Sequence, residues 1–530
     1  MKISLFKQLL QAADIDLTTR KIIFVVEDKV LRQFYDDYGV SHEEFLESSE
    51  LEDFVNNHIV SKLKKGVATM RSGKSYPNIK SLVLDRKEEG EITYLLVSNV
   101  FLIEDEKQTV LLSKLPYDIF SKMVIENNSL RGKNLVSLCL ASTKINNMCN
   151  HRNKELFRKL LKLQFGIEGV EDPRNEYIGI FRRKVLMFGI NRWSELGLKN
   201  ERHRHKTTPT QISQFEGIIQ VSCGEKHTTF LDYLGQVWTC GNGNNGQLGL
   251  GSDGLYTIPT KIRNFNKIRQ ISCGSDHTAF IDSMGQVWTF GKNFYGQLGL
   301  GDYNKYNVPT LIENFRDIKQ ISCGASHTAF IDSLGQIWMF GYYRQLPFPD
   351  NFQSIPIPTQ VPNFKDVQQI SCGVTHTIFI DSLGRIWTFG ENHYGELGVN
   401  ETMPGILFRV RGFKGIRQVS CRIHTAIIDS LGQVWTCGLN GNGQLGYESN
   451  LPRNFKFRMI PGFKDVKSIA CGDYSTSIID SQNRLWSCGA NNYGQLGLGD
   501  KYPRTALTLC PSVSNVRQIA CGPNHSAILI

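Results

Sequence analysis

The sequence predicts a mainly β protein: a closed seven-bladed β-propeller over residues 184–530, preceded by a small helical segment at 113–166 and a small α+β domain at 1–110. Three observations carry this prediction. A Cys recurs at 223, 273, 323, 372, 421, 471 and 521, in steps of 49 or 50 residues. Each Cys opens the same pattern of short β-prone runs separated by glycine turns, which is the mark of a repeat architecture. The last copy, cut short at Ile530, finds its missing half at the front of the array.

In residues 1–110, Leu5–Leu10 has the spacing of an amphipathic helix and Lys21–Val26 reads as a strand. Helical stretches are expected around Glu43–Leu63, then strands at Ser81–Leu84, Thr93–Ser98 and Val100–Ile103. Ile23-Phe24-Val25 followed by Asp28-Lys29-Val30-Leu31, with Phe54 and Asn57-His58-Ile59-Val60, is faintly similar to a fasciclin (FAS1) domain. The Pro-Thr usual after the first strand of that family is replaced by Val26-Glu27.

Residues 113–166 lack glycine turns and show helical spacing instead. Pro116 suits a helix start, with Ile119 and Met123 four apart on one face. Leu135, Leu138 and Ala141 continue the periodicity, and Glu155–Leu163 gives a third helix with a basic outer side. The Leu115-Pro116 start, the Asn134–Cys139 run, the Ala141–Ile145 element and the closing Glu155–Leu161 resemble an F-box, with Phe157 where that family has Trp. The resemblance implies a Skp1-like adaptor as partner, held by an apolar contact of Leu115, Pro116, Ile119, Leu135 and Leu138. The other reading is a plain helical brace.

The repeat unit is clearest in the second copy. Cys273-Gly274 leads to His277, then Thr278–Ile281, a turn at Asp282–Gly285, Gln286-Val287-Trp288, and Gly296-Gln297-Leu298-Gly299. The runs on either side of the turn are β-prone, and Gly at 235, 285, 335, 384 and 432 suits a turn of positive φ. A Val-Arg-Gln-Ile type run adds another strand. Three or four strands in 50 residues make one propeller blade. Trp at 238, 288, 338, 387, 435 and 486 would wedge between neighbouring sheets.

Seven Cys motifs are present, but only six are followed by a Trp hairpin. Val185–Gly189 and Glu195-Leu196-Gly197 supply the missing segment, so one blade is built from both ends of the array. Such closure leaves no free sheet edge between first and last repeats.

These Ser-Cys-Gly-x-x-His, Gly-Gln-Val-Trp and Gly-Gln-Leu-Gly motifs resemble those of the RCC1 (regulator of chromosome condensation) repeat family. The third turn is degenerate at Tyr342–Leu346, the fifth copy is one residue short at Cys421–His424, and the sixth has Ser475 for His. The repeating His227, His277, His327 and His376, and the hairpin Asp232, Asp282, Asp332 and Asp381, have two readings. They bond turn backbone groups as architecture, or some line one face and contact a partner, as the resemblance to the family's exchange factor implies.

Two signals are discounted. Gly241-Asn-Gly243-Asn-Asn-Gly246 matches a dinucleotide fingerprint by letter, but it recurs between strands and opens no helix. Each Cys-x-x-x-His pair lies too far apart on an extended strand, roughly 13 Å, for both side chains to meet one Zn²⁺. No cofactor or metal is therefore expected, and with no Ser-His-Asp order, HExxH or paired-carboxylate motif in the sequence no catalytic residue is expected either.

Composition agrees with an intracellular protein. No run approaches a membrane span, and Lys7-Gln8 breaks any signal-peptide pattern. The net charge of +10 is mild and scattered; its densest run, Arg202–Lys206, reads as an exposed loop, so nucleic acid is not an expected partner. Thirteen Cys, seven at one repeat position, point to buried packing in a reducing compartment: cytoplasm, nucleus or a viral factory. The Lys, Asn and Ile usage hints at an AT-rich genome, such as that of a giant virus. The expected function is a non-enzymatic interaction platform, an F-box substrate-recognition adaptor in ubiquitin conjugation whose propeller binds an unidentified protein target. The alternatives are a scaffold or guanine-nucleotide exchange on a small GTPase. The even repeat steps leave no room for the wedge-like insertion that exchange would imply.

Overall fold

The computed structural model describes residues 62–64, 67–69, 75–77, 86–89, 92–95, 154–165, 173–199, 204–342, 354–400, 406–449 and 451–530. The chain divides into two compact units, residues 1–181 and 182–530.

In the first unit, Lys62–Lys64, Val67–Thr69 and Ser75–Pro77 form one small antiparallel sheet, and Arg86–Glu89 pairs with Ile92–Leu95 in another. Lys62–Lys64 is a strand where the end of a helical stretch around Glu43–Leu63 was expected, and the rest of that stretch lies outside the described residues. The strand expected at Thr93–Ser98 overlaps the second hairpin. The other elements assigned to 1–110 lie outside the described residues, as do Leu115, Pro116, Ile119, Leu135 and Leu138.

Helix α1, Lys154–Phe165, realises the third helix expected from sequence. Its apolar stripe buries Phe157, Leu160 and Leu161, while Arg158, Lys159 and Lys162 are exposed. Helix α2, Pro173–Arg182, was not foreseen. Pro173 at its start and Glu176 in its first turn are ordinary helix-opening residues. Tyr177 packs its ring 5.4 Å from that of Phe157 and 5.1 Å from that of Phe181.

The second unit contains seven four-stranded antiparallel sheets. The first blade comprises Ile218–Cys223, His227–Asp232, Val237–Asn242 and Leu255–Lys261. Five more follow in the same order along the chain. The seventh joins Gln518–Cys521 and His525–Leu529 to Lys184–Gly189 and Lys206–Glu216. In that blade Ser526 pairs with Phe188 and Ala527 with Met187, and Lys184 and Ile530 exchange backbone hydrogen bonds of 3.0 and 3.1 Å. The closure expected from the split repeat is the closure observed. The innermost strands of all seven blades contact their neighbours round a complete ring.

The core lies in the seams between blades. One cluster joins Leu231 and Val237 of the first blade to Ile268, Phe280 and Phe290 of the second, with Trp288 packed against it. Phe265, from the loop entering the second blade, packs edge-to-face on Trp288 with ring centroids 5.0 Å apart. All the described cysteines are buried and unpaired. The turn glycines adopt the expected positive φ, +73° at Gly285, and a Cβ there would lie 2.5 Å from backbone atoms of Asp317. Both the conformation and the close approach exclude a larger residue.

Candidate functional site

The repeating His residues are not on a face. His227, His277, His327 and His376 are fully buried, and Nδ1 of His227, His277 and His376 has no partner, so these three do not bond the turn backbone as expected. Each reaches the next blade: Nε2 of His227 lies 2.9 Å from Thr278 Oγ1, and Nε2 of His376 lies 2.7 Å from Thr425 Oγ1. His525 closes the ring at 3.0 Å from Thr228. Thr228, Thr278, Thr328, Thr425 and Thr476 donate onward to a carbonyl of the Gly-Gln-Leu-Gly turn or its equivalent, as Thr278 does to Gln247 at 2.8 Å, whereas Thr377 donates to Cys372 Sγ. At Gly224, Gly274 and Gly324 the latch requires glycine, because a Cβ there would collide with the ring of the following His. Burial pushes His227, His277, His376 and His525 down to about 3 and His424 to about 4.

Cys and His flank a turn rather than sharing one strand, which replaces the extended geometry assumed from sequence. They point in different directions. Cys273 Sγ donates to Ser222 O of the preceding blade, while His277 reaches the following one. The Gly241–Gly246 turn links two strands of one blade.

The hairpin aspartates behave as the architectural reading expects. Asp282 Oδ1 accepts from the amides of Met284 and Gln286, and Oδ2 accepts from Trp288 Nε1 at 3.1 Å. Asp232, Asp332 and Asp381 make the same three bonds. These carboxylates are fully engaged in the turn.

What the hairpin face does present is a collar of apolar tips. Leu234, Met284, Leu334, Leu383 and Leu431 occupy one turn position in five blades and are 53–67 % exposed. Inside this collar the innermost strands begin. The residue before their first glutamine position is Ile219, Arg269, Lys319, Gln368, Arg417, Lys467 and Arg517 in successive blades. Five of the seven are cationic and none is acidic. Charge that looks scattered along the chain is thus stacked by the 50-residue period into a ring at one mouth of the propeller. That periodic position was the signal available in the sequence. A cavity of about 920 Å³ opens there, lined by Arg269, Lys319, Arg417 and four inner-strand glutamines. A second of about 370 Å³ shares Gln369 and Arg417 with it and adds Lys467.

The glutamines below are clasps. Gln270 Oε1 accepts from the Ile321 amide at 3.1 Å and its Nε2 donates to Ile321 O, and Gln220, Gln320, Gln418 and Gln518 reach across in the same way. At the opposite end the Cys-Gly turns crowd together, and a Cβ on Gly274 would lie 2.5 Å from Gly324 O. Arg422 replaces one of these glycines. It is buried, paired with Asp473 at 2.8 Å, and close enough to Cys521 and His525 to perturb them, so its guanidinium projects towards the axis.

Among the described residues no helix is long and apolar enough to cross a membrane, and no group of three or more His, Cys, Asp or Glu is placed to hold a metal ion.

Residues 184–231, 235–281, 284–331, 335–380, 432–479 and 482–529 match the model of the regulator of chromosome condensation (RCC1) repeat. A second model of that repeat matches 218–247, 268–297, 367–396 and 466–495. The stretch the first model skips contains the shortened Cys421–His424 turn. Among curated proteins, the mouse X-linked retinitis pigmentosa GTPase regulator is 37% identical over 84 residues, 15% of this chain and 8% of that protein. The human RCC1-like G exchanging factor-like protein is 36% identical over 74 residues, 13% and 16% of the two chains. The human probable E3 ubiquitin-protein ligase HERC3 is 37% identical over 65 residues, 12% and 6%. The matched stretches therefore span less than a fifth of each relative. Among solved structures, human WBSCR16 superposes with a TM-score of 0.60 at 21% identity, covering 66% of this chain and 98% of that one. Yeast RCC1 (Prp20), solved with Kap60, gives 0.60 at 20%, covering 66% and 88%. At these identities the structures show a common fold.

Proposed function

The chain belongs to the RCC1 repeat family, and from that premise we propose that it is a non-catalytic platform whose propeller holds a protein partner on the hairpin face. The observation that carries this reading is the collar of Leu234, Met284, Leu334, Leu383 and Leu431 around a cationic mouth. Apolar residues repeated at one exposed turn position, set around charge, are what a docking face needs.

The adaptor role rests on the F-box-like 113–166 segment, whose Leu115, Pro116, Ile119, Leu135 and Leu138 would dock a Skp1-like protein. The propeller would then hold the target for ubiquitin conjugation in the cytoplasm or nucleus. The test is binding of a Skp1 homologue by the full chain. The adaptor reading expects binding, lost on replacing Leu115 and Pro116 together with Ala; no binding, or binding unchanged by that replacement, contradicts it.

A second reading, guanine-nucleotide exchange, is favoured by the likeness to the human RCC1-like G exchanging factor-like protein. The uniform 49- or 50-residue spacing of the repeats weighs against it. Acceleration of nucleotide release from a Ran-like GTPase would establish it.

A further inference from the structure

We infer that the basic mouth is a binding site for a compact ligand carrying several phosphate groups. The proposal stands apart from the adaptor reading and does not depend on it.

The cations come from the second, third, fifth, sixth and seventh blades, so they stand at one mouth of the ring in most of its blades. A linear chain crossing the mouth would meet few of them at once. A small ligand with charge on all sides would meet several. The cavity of about 920 Å³ is of the size that holds small ligands.

Two of the arginines are held in place before any ligand arrives. Arg269 Nε donates to Asp282 O at 3.2 Å, and its two terminal nitrogens donate to the carbonyls of Lys319 and Ile318. Arg417 Nε donates to Asp429 O at 3.0 Å and Nη2 to Val466 O at 3.3 Å. These bonds go to neutral carbonyls, so the charge is not cancelled where it is anchored. Pre-set guanidinium groups lose little freedom on binding, and their forked donors suit phosphate oxygens.

Carboxylates stand near the ring and offset part of its charge. Asp381 lines the cavity edge but is engaged by Trp387, Arg385 and two turn amides. Asp282 and Asp317 stand near Arg269 and offset part of its charge. Further out, Arg316, Lys365 and Lys464 alternate with Asp317, Asp366 and Asp465 in the same turns, so that tier is close to balanced. In the lining of the larger cavity Arg269, Lys319 and Arg417 stand against Asp381, which Arg385 already pairs, and low-dielectric walls focus that excess.

The test is calorimetric titration of the full chain with inositol hexakisphosphate at about 0.15 M salt, where exposed charges are screened beyond about 8 Å. One molecule should bind per chain. Lys319→Gln and Lys467→Gln, both on exposed side chains, should each weaken binding about tenfold, since a hydrogen bond to a charged group contributes about 1.5 kcal/mol or more. Lys365→Gln with Lys464→Gln, in the balanced tier, should leave it nearly unchanged. No binding, binding indifferent to Lys319 and Lys467, or equal affinity for a poly-glutamate peptide of matched charge would overturn the proposal.

Discussion

Nε2 of His277 lies 2.9 Å from Oγ1 of Thr328, across the seam between the second and third blades. The Thr328 hydroxyl donates to Gln297 O at 2.8 Å, so it must accept from the imidazole, which fixes the proton on Nε2. One hydroxyl thus ties a strand of one blade to a strand and a turn of its neighbour. Thr328→Val should leave both the His277 N–H and the Gln297 carbonyl buried without a partner. Such a loss costs about 2–3 kcal/mol, readable as a lower denaturant midpoint. A midpoint equal to the parent's would deny the latch an energetic role.

Acid should loosen five of these seams together. The five His groups held down at about 3 to 4 are neutral in the fold but protonate near 6.5 once unfolded. The unfolded chain therefore binds more protons between those values. Stability from these groups is fully present above pH 6.5 and falls as pH drops towards 3, by about 1.4 kcal/mol per pH unit for each proton taken up. Denaturant titrations at pH 7, 6 and 5 check the slope.

Glu195 should act in the opposite sense. It occupies the position of Gln247 and Gln297 in other blades, accepts the Trp193 amide at 2.6 Å, and is buried. Burial raises its carboxyl to about 7, so the fold holds a proton that the unfolded chain releases near 4.5. Stability is lost as pH rises through that window. Glu195→Gln should therefore stabilise the protein at pH 8, by up to about 3 kcal/mol, and have far less effect at pH 4. Equal effects at both values would contradict this.

The seam between the sixth and seventh blades should be the weakest. Ser468 stands where Gln270 and its equivalents clasp the next blade, Ala470 where Ser272 accepts the Cys323 amide, and Ser475 where the others carry His. Three kinds of inter-blade bond are missing at one place. The amides of Ile519 and Cys521 should exchange with solvent faster than those of Ile321 and Cys323, their counterparts in the third blade. Comparable protection would show that apolar packing alone holds that seam.

These substitutions also show what the sequence discloses. The ring, its seven blades and its mixed closure were legible because each rests on a local pattern repeated at fixed period: a Cys, a turn glycine, a Trp. The aspartate turns were legible for the same reason, since donors and acceptors lie within six residues of one another. The His–Thr latch was not, because its partners lie 51 residues apart in chain and meet only when the blades are stacked. The basic mouth was overlooked because one cation per 50 residues looks dilute until the ring brings five together. Helix α2 was missed because Pro173–Arg182 is short and interrupted by Gly179.

Ring closure is tested most directly by deleting residues 525–530, the strand that pairs with Val185–Gly189. The shortened chain should lose the cooperative thermal transition of the propeller, since both Gln518–Cys521 and Lys184–Gly189 are left with open edges. A transition at the parent's temperature, with unchanged cooperativity, would mean that the two ends of the array do not share a blade.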